Sequence, residues 1–532
     1  MKLEASQLQN SALRPFVVGL IGHRDLLDAE INHLQAAFDD YIEKILAALK
    51  FTPILVLTSL AEGADRLAHS SRFRNQIKIC SVLPFPLPEY SKDFLGRVKR
   101  AEFKTSIDDS DYVISFEPKS SSNQMSISER NKAYRDCAQW ICDKSNSLYA
   151  VWDGNTSRGV GGTGDTVKYR IRNITAHSQI ETGLKLVHSL ASNGPTKPVK
   201  DCDCGGHEGF SKADGRSLRD FDLLNSYLAN SDVVVDPISL ESHFELLDKE
   251  AILLQKDFIG GTKFLLSLGV LSVNIASFQM ELLTLASLVP ASLLLLLTIF
   301  YWSRQSKSQI KVAYETFRLM AEVMRVQIWW NSCGINARVL DEIPELRETG
   351  GPARLFLSNT FLIQEISSWS TSNAELTNAE PLDWVEGQKN YLRSAKTKGA
   401  IWKNESKAKK LTRTIFFLVG LGGLSIILGT SASSLFPTLN DNSVQAITSV
   451  LFTASLSIAA ATAAYSQVLS YREVIGRYRI KEFRLQNSIM LMRKARTRRE
   501  RLKIAKEVGR DALSEAFRWY QLKSDRQVRP FQ

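Results

Sequence analysis

Residues 264–303 contain no lysine or arginine and a single acid, Glu281, and residues 414–471 again contain no lysine or arginine. Nothing else restricts the fold of this chain so strongly. A helix crosses the hydrocarbon core of a bilayer in about 20 residues, so each stretch has room for two spans. The first is expected to turn at Gln279, Met280 and Glu281, the second at residues 434–443, where Pro437, Asn440 and Asp441 interrupt the apolar run. Buried hairpins of a large soluble protein are the alternative reading. Residues 285–302, LASLVPASLLLLLTIFYW, are longer and more uniformly apolar than a globular helix needs. The expectation is an all-α membrane region of four transmembrane helices in two hairpins.

The flanks orient these hairpins. Lys263, Arg304, Lys307 and Lys311 bracket the first, Lys396 to Arg413 precede the second, and basic residues resume at Arg472, whereas both turns lack lysine and arginine. By the positive-inside rule, both termini and the middle segment are cytoplasmic in a multi-pass plasma-membrane protein. Ionisable side chains are absent from the spans themselves, which argues against an ion-coupled carrier. Gly420, Gly422, Gly423 and Gly429 in the third span, with Ala454, Ser455, Ser457, Ala459 to Ala461, Ala463 and Ala464 in the fourth, favour close helix packing. That packing is either within one subunit or between copies.

The formal net charge of +11 sits entirely in residues 472–532, which hold 18 Lys and Arg against 7 Asp and Glu. A basic segment directly after an apolar one suits an anionic membrane surface, and nucleic acid is not an expected partner. Six cysteines in 532 residues make no disulfide framework and suit a reducing compartment. Cys202, Cys204 and His207 lack a fourth ligand at usual zinc spacing, so no metal is expected. No basic segment followed by a long apolar one opens the chain, so a cleaved signal peptide is not expected.

The first third alternates short apolar runs with amphipathic segments. Strands are expected at residues 17–21, 54–57, 77–83, 111–116, 148–152 and 185–187. A helix after the first strand carries Ile31, Leu34, Phe38, Ile42, Ile45 and Leu49 on its apolar face; others start near Arg66, at Glu129 and near Thr166. Residues 119–126 read as a loop and 191–220 as a linker. Such alternation predicts an α/β doubly wound parallel sheet. The resulting division is an α/β domain at 1–195, linker and connecting helices at 196–260, the first hairpin at 261–303, a cytosolic helical region at 304–410, the second hairpin at 411–470 and a basic helical tail at 471–532.

The most informative loop follows the strand at 148–152. Asp153-Gly154 ends that strand, and Gly159, Gly161, Gly162 and Gly164 precede a helix. Glycines let backbone N–H groups approach an oxyanion, and a helix start adds its positive end. A phosphate site is therefore expected at Gly161, Gly162, Thr163, Gly164, Asp165 and Thr166. Gly22, His23 and Arg24 end the first strand, while Ser59, Glu62, Gly63 and Asp65 follow the second; with Asp153 they complete the candidate ligand-binding set.

These motifs in this order, strand–Gly-His-Arg, Ser-Leu-Ala-Glu-Gly-Ala-Asp-Arg, Leu-Pro-Phe-Pro with Glu89-Tyr90, and Trp-Asp-Gly before Gly-Gly-Thr-Gly-Asp-Thr, resemble the SLOG superfamily of Rossmann-like nucleotide-binding domains over about residues 15–190. The resemblance implies a nucleotide ligand: ADP-ribose-like, cyclic ADP-ribose-like or a cyclic nucleotide. Phosphate would lie on Gly161 to Gly164, His23 and Arg24, and ribose on Glu62 or Asp65. Hydrolase members carry Pro-Gly-Gly-x-Gly-Thr-x-x-Glu; aligning Gly161-Gly162 puts Val160 at the Pro, Asp165 at the Thr and Lys168 at the catalytic Glu. A sensor, not an enzyme, is what this departure implies.

Around the second hairpin, Trp384-Val385-Glu386-Gly387-Gln388-Lys389-Asn390-Tyr391 before the spans and Tyr471-Arg472 after them resemble the SLATT family of two-helix membrane effectors over about residues 375–490. Stripes at Trp384, Tyr391, Ala395 and Trp402, and at Tyr471, Ile475, Tyr478, Leu485, Ile489 and Met492, are expected to pack together or against another subunit. Trp329 and Trp330 fit either a membrane interface or plain helix packing. Together the resemblances imply an antiviral effector of the bacterial inner membrane that is gated by a nucleotide second messenger and forms a homo-oligomer or pore. The rivals are a membrane-anchored nucleotide hydrolase and a constitutive channel or scaffold with a vestigial nucleotide fold.

Overall fold

The computed structural model describes residues 12–117, 125–155, 157, 159–176, 185–189, 212–233, 235–282, 285–307, 309–343, 351–369, 379–393, 399–435 and 441–525. The expected loop at 119–126 lies mostly outside them, and Cys202, Cys204, His207 and Ala395 lie wholly outside. The first part builds β1 (Phe16–Gly22), α1 (Asp28–Ala48), β2 (Ile54–Thr58), β3 (Ile77–Leu83), α2 (Arg97–Asp108), β4 (Tyr112–Ser115), α3 (Ile127–Lys144), β5 (Ser147–Val151), α4 (Thr163–Ala176) and β6 (Lys185–Ser189). All strands are parallel, in the order β4-β3-β2-β1-β5-β6. β1, β2 and β5 are buried along almost their whole length, as near-continuous apolar runs require in a sheet covered on both faces. Leu34, Phe38, Ile42 and Ile45 of α1 cover one face and Cys137 and Ile141 of α3 the other, so the sheet is doubly wound as expected.

Three local expectations fail. No α-helix follows Arg66; Gly63–Arg66 is a single 3-10 turn, and further turns lead to β3. Side chains there compete for the backbone, with Thr58 donating to the Asp65 carbonyl (2.6 Å) and the Ser71 hydroxyl accepting from the Phe73 amide (3.1 Å). Ile31 is exposed, and Tyr41 takes its place in the core with its hydroxyl on Ser147 (2.7 Å). α4 begins at Thr163 instead of Thr166, which moves Thr163, Gly164 and Asp165 from a loop into a first helical turn.

The rest is helical: α5 (Lys212–Leu228), α6 (Leu240–Leu282), α7 (Leu285–Lys307), α8 (Ile310–Cys333), α9 (Gly351–Trp369), α10 (Pro381–Leu392), α11 (Ala400–Leu435), α12 (Asp441–Leu469), α13 (Tyr471–Lys494) and α14 (Arg498–Asp525). Part of the expected linker is therefore helix, from Lys212 onward. The helix α6 also runs past the expected turn at Gln279 to Glu281 and ends at Leu282. Among the described residues three helices are long and apolar enough to cross a membrane, within Leu240–Ser277, Ala400–Ser431 and Val444–Lys494, and a fourth apolar run, Ser292–Arg304, is shorter. Their large side chains point outward, as at Phe300, Phe416 and Ile447, the inverse of a soluble core. Gly422 and Gly429 let α11 lie close to α12, since a Cβ would stand 2.5 Å from Ser455 Oγ or Thr448 Cγ2.

At the other end of the helical region from the apolar runs, α5, the first half of α6, α8, α9, α10, α13 and α14 share one apolar core. Trp329 and Trp330 are buried in it, and Trp329 stacks on Trp384 (4.0 Å between centroids), so the membrane-interface reading of this pair is set aside. Leu485, Ile489 and Met492 face the same core, whereas Tyr391 and Trp402 are exposed. The basic tail folds back as α14. Arg493 pairs with Glu386 (2.6 Å), Arg498 and Arg501 with Glu380, and Arg510 with Glu342, so part of the run read as a lipid-binding segment is already neutralised.

This core grips the sheet through α9. Phe356 and Leu357 lie in the helical core, while Leu362 and Ile366, two turns on, lie against the sheet. α9 lies in sequence between the two apolar hairpins, yet it completes the packing of the N-terminal domain.

Candidate ligand-binding site at the sheet switch point

Open parallel sheets bind ligands in the crevice outside the carboxyl ends of strands whose connections depart in opposite directions. Here that point lies between β1 and β5. The His23 amide donates to the Val151 carbonyl (3.1 Å) and ties the two strand ends together. Gly22, His23, Arg24 and Asp153 thus lie together at these strand ends, and the glycine loop follows Asp153 in sequence.

Much of the candidate set turns out to build the crevice walls. A Cβ on Gly22 would lie 2.3 Å from Ala64 Cβ, and one on Gly63, where φ is +79°, would lie 2.5 Å from the carbonyl oxygens of His23 and Arg24. Both glycines are needed for this close approach. Asp65 is buried, and its carboxylate accepts from the Gly22 amide (2.9 Å), Ser59 Oγ (2.5 Å) and the Ala61 amide (3.3 Å). Asp65 and Ser59 therefore fasten the β2 loop to the end of β1, a structural part for the carboxylate that the sequence offered as a ribose acceptor. Glu62 pairs with Lys99 (2.6 Å).

Burial pushes the Asp65 carboxyl up to about 6, although Ser59, Arg24 and two amides pull the other way. A carboxyl raised on folding stabilises the fold fully below its unfolded value near 3.8, and that contribution is lost as pH rises through about 6. Unfolding midpoints of wild type and Asp65→Asn, measured from pH 4 to 8, are expected to differ in slope in this window. Wild type should gain up to about 3 kcal/mol more on acidification.

His23 is likewise engaged. Its Nε2 lies 3.1 Å from both the Asp153 amide and Asp153 Oδ1. A bare Nε2 accepts from the amide and an Nε2–H donates to the carboxylate, so each tautomer makes one of these bonds. Partial burial raises the Asp153 carboxyl, but the Asn155 amide and His23 outweigh it and hold the group below its usual range.

The glycine loop folds on itself. A Cβ on Gly162 would stand 2.3 Å from Ser157 Oγ, and one on Gly164 2.8 Å from the Asn155 carbonyl. Gly161, with φ +77°, lies against the backbone of α3, where a Cβ would be 2.7 Å from the Arg135 amide nitrogen and 3.0 Å from the Tyr134 carbonyl carbon. Thr166 turns its hydroxyl back to the Gly162 carbonyl (3.1 Å) and is buried. The amides of Thr163, Gly164 and Asp165, in the first turn of α4, make no hydrogen bond among the described residues. The Asp165 side chain is exposed beside them, and its charge favours the helix start.

Arg24 completes the arrangement. It is exposed, its guanidinium stands over the Tyr134 ring (5.5 Å), and it forms no salt bridge among the described residues, although the Asp65 carboxyl attracts it. Tyr134 thus touches Arg24 with its ring and Gly161 with its backbone, and its hydroxyl is held by Asp93, which also holds Arg130. Arg130 binds Glu89 (2.6 Å) and lies over Phe85. Sequence reading missed Tyr134, Asp93 and Arg130, because only the packing of α3 brings them to the strand ends. Lys168, at the position of the hydrolase carboxylate, is exposed on α4.

The fold defines the class as a doubly wound α/β domain built onto helices fit to cross a membrane. Comparison with models of protein families, with curated proteins and with solved structures finds no match to this chain.

Proposed function

We propose that this protein is a membrane effector gated by a nucleotide-derived signal, with the SLOG-like and SLATT-like character that its motifs imply. The observation that carries the reading is Arg24, which is exposed and forms no salt bridge among the described residues, held over Tyr134 of α3, the same residue whose backbone seats Gly161 of the loop that leads into the first turn of α4. A helix start and a guanidinium both linked to Tyr134 suit a phosphate or diphosphate of an ADP-ribose-like or cyclic nucleotide ligand. In this reading α6, α7, α11 and α12 form four spans of the bacterial inner membrane with both termini cytoplasmic, and the membrane part oligomerises or opens to damage the bilayer.

A route between site and membrane supports the proposal. α3 touches Gly161 and Arg24 through Tyr134, and two to three turns later Trp140 and Lys144 bond to Glu365 of α9 (3.2 and 2.5 Å). α9 enters the core that holds the cytosolic half of α6, and α6 continues unbroken over about 65 Å toward the apolar stretch. Moving a two-state equilibrium from 1:99 to 99:1 needs about 5.5 kcal/mol of differential binding, within reach of several charge-assisted hydrogen bonds.

The test is thermal unfolding of the full chain in detergent, with ADP-ribose, cyclic ADP-ribose, NAD and cyclic nucleotides. One ligand should raise the midpoint, by the equivalent of about 2.7 kcal/mol at 100 times its Kd, and Arg24→Ala should weaken it roughly 10- to 100-fold. A flat response to every ligand removes the sensor reading. Turnover of the bound nucleotide by the purified chain would favour the hydrolase rival.

A further inference from the structure

A groove of ≈ 830 Å³ opens between α6, α7 and α12, walled by Leu265, Gly269 and Val273, by Ile299 and Trp302, and by Ala461. Its length along α12, from Phe452 to Ala464, is about 18 Å. That exceeds half of a hydrocarbon core of about 30 Å. The lining at one end, Leu265, Trp302 and Ala464, adjoins the basic flank at Lys263 and Arg304, so the groove starts at the cytosolic leaflet.

The polar side chains on its wall are already used. Thr298, Thr453 and Ser457 donate to carbonyls of their own helices (2.8, 2.9 and 2.9 Å), and Asn274 reaches Ser457 from α6 (2.8 Å). A polar solute would find no hydroxyl free to donate, whereas a hydrocarbon chain needs none. At the mouth, Lys263 stands over the Tyr465 ring (5.7 Å), and Phe264 and Tyr301 meet edge to face (4.9 Å), which sets α6 and α7 side by side at this level. Neither Lys263 nor Arg304 pairs with a carboxylate among the described residues, and both are exposed.

We infer that the groove holds an acyl chain of an anionic phospholipid of the cytosolic leaflet, whose phosphate sits on Lys263 and Arg304. Charge favours this occupant over a second copy of the chain, because every flank of its apolar stretches is basic and a copy would bring like charge to the mouth. The inference rests on membrane insertion of these helices. It adds a lipid cofactor whose seat joins α6, the helix that leaves the cytosolic core, to α12.

The full chain is reconstituted in nanodiscs of phosphatidylcholine alone or with phosphatidylglycerol, then released into mild detergent, and retained lipid is counted by native mass spectrometry. Wild type should keep phosphatidylglycerol at about one per chain and unfold several degrees higher with it. Gly269→Phe, placed where an added Cβ meets nothing within 4 Å, should fill the groove and cut retention at least tenfold. A combined Lys263→Gln and Arg304→Gln variant should lose the preference for the anionic lipid. Equal retention of both lipids by wild type, or unchanged retention by Gly269→Phe, overturns the inference. So does a copy-to-copy disulfide formed efficiently by Gly269→Cys in membranes, which would give the groove to a second copy. Alkaline carbonate washing separates the two levels, since a chain stripped from membranes defeats the insertion reading and a retained chain without lipid defeats only this one.

Discussion

Arg14→Ala is expected to lower the unfolding free energy by about 3 to 5 kcal/mol, read as a large drop in the thermal midpoint of the detergent-solubilised chain. Arg14 is fully buried where β1 begins, at the opposite end of the sheet from the crevice. Its Nε donates to Thr360 Oγ1 of α9 (2.8 Å), one Nη to the Ala12 and Leu13 carbonyls (2.9 and 3.2 Å), and the other lies 2.6 Å from His243 Nδ1 of α6. Asn225 of α5 closes the knot by bonding to the Arg14 amide and carbonyl and to Thr52 (all 2.9 Å). One side chain therefore clamps the sheet to two helices, and its removal orphans acceptors and opens a cavity.

Burial lowers the Arg14 pKa to about 9, and burial with Arg14 nearby drives His243 to about 3. His243 is then neutral at physiological pH, accepting at Nδ1 while Nε2 faces the Pro237 carbonyl (3.3 Å). A histidine held neutral by folding costs stability as pH falls below its unfolded value near 6.5, opposite in sign to Asp65. Part of that acid sensitivity should disappear in Arg14→Ala, because the repelling cation is gone.

Gly161→Ala should weaken the ligand response more than tenfold while leaving the ligand-free midpoint within a few degrees of wild type. The alanine would need a positive φ and would set its Cβ 2.7 Å from the Arg135 amide nitrogen, a helix backbone atom that cannot turn aside. Strain of roughly 1–3 kcal/mol is relieved most easily by swinging the exposed loop away from α3, which takes the first turn of α4 away from Arg24. Gly159→Ala is the matched control. Its Cβ meets nothing within 4 Å and its φ is not positive, so ligand titrations should be unchanged. Equal losses from both substitutions would show that loop flexibility, and not its seat on α3, governs binding.

The alternation of apolar runs was enough to place β1, β2, β3 and β5, because strands buried on both faces leave near-continuous apolar sequence. The Asp65 motif was legible as a motif but not as a role. From sequence its carboxylate reads as a ligand acceptor; in the fold the Gly22 amide, 43 residues away in sequence, consumes it. Tyr134 carried no local signal at all, since an aromatic in an amphipathic helix becomes a site residue only when that helix lands beside a strand end.

By itself the sequence determined which segments could enter a membrane, because length and the absence of charge set the cost of placing a helix in hydrocarbon. It also determined the parallel sheet, through the alternation of short apolar runs with amphipathic helical segments. Tertiary structure alone decided that α9 belongs with the sheet, that His23 and Asp65 are engaged by neighbouring backbone and side chains, and that Arg24 is left exposed over the Tyr134 ring. Those outcomes depend on contacts between residues far apart in the chain, and no local pattern encodes which polar groups will find partners once the elements pack.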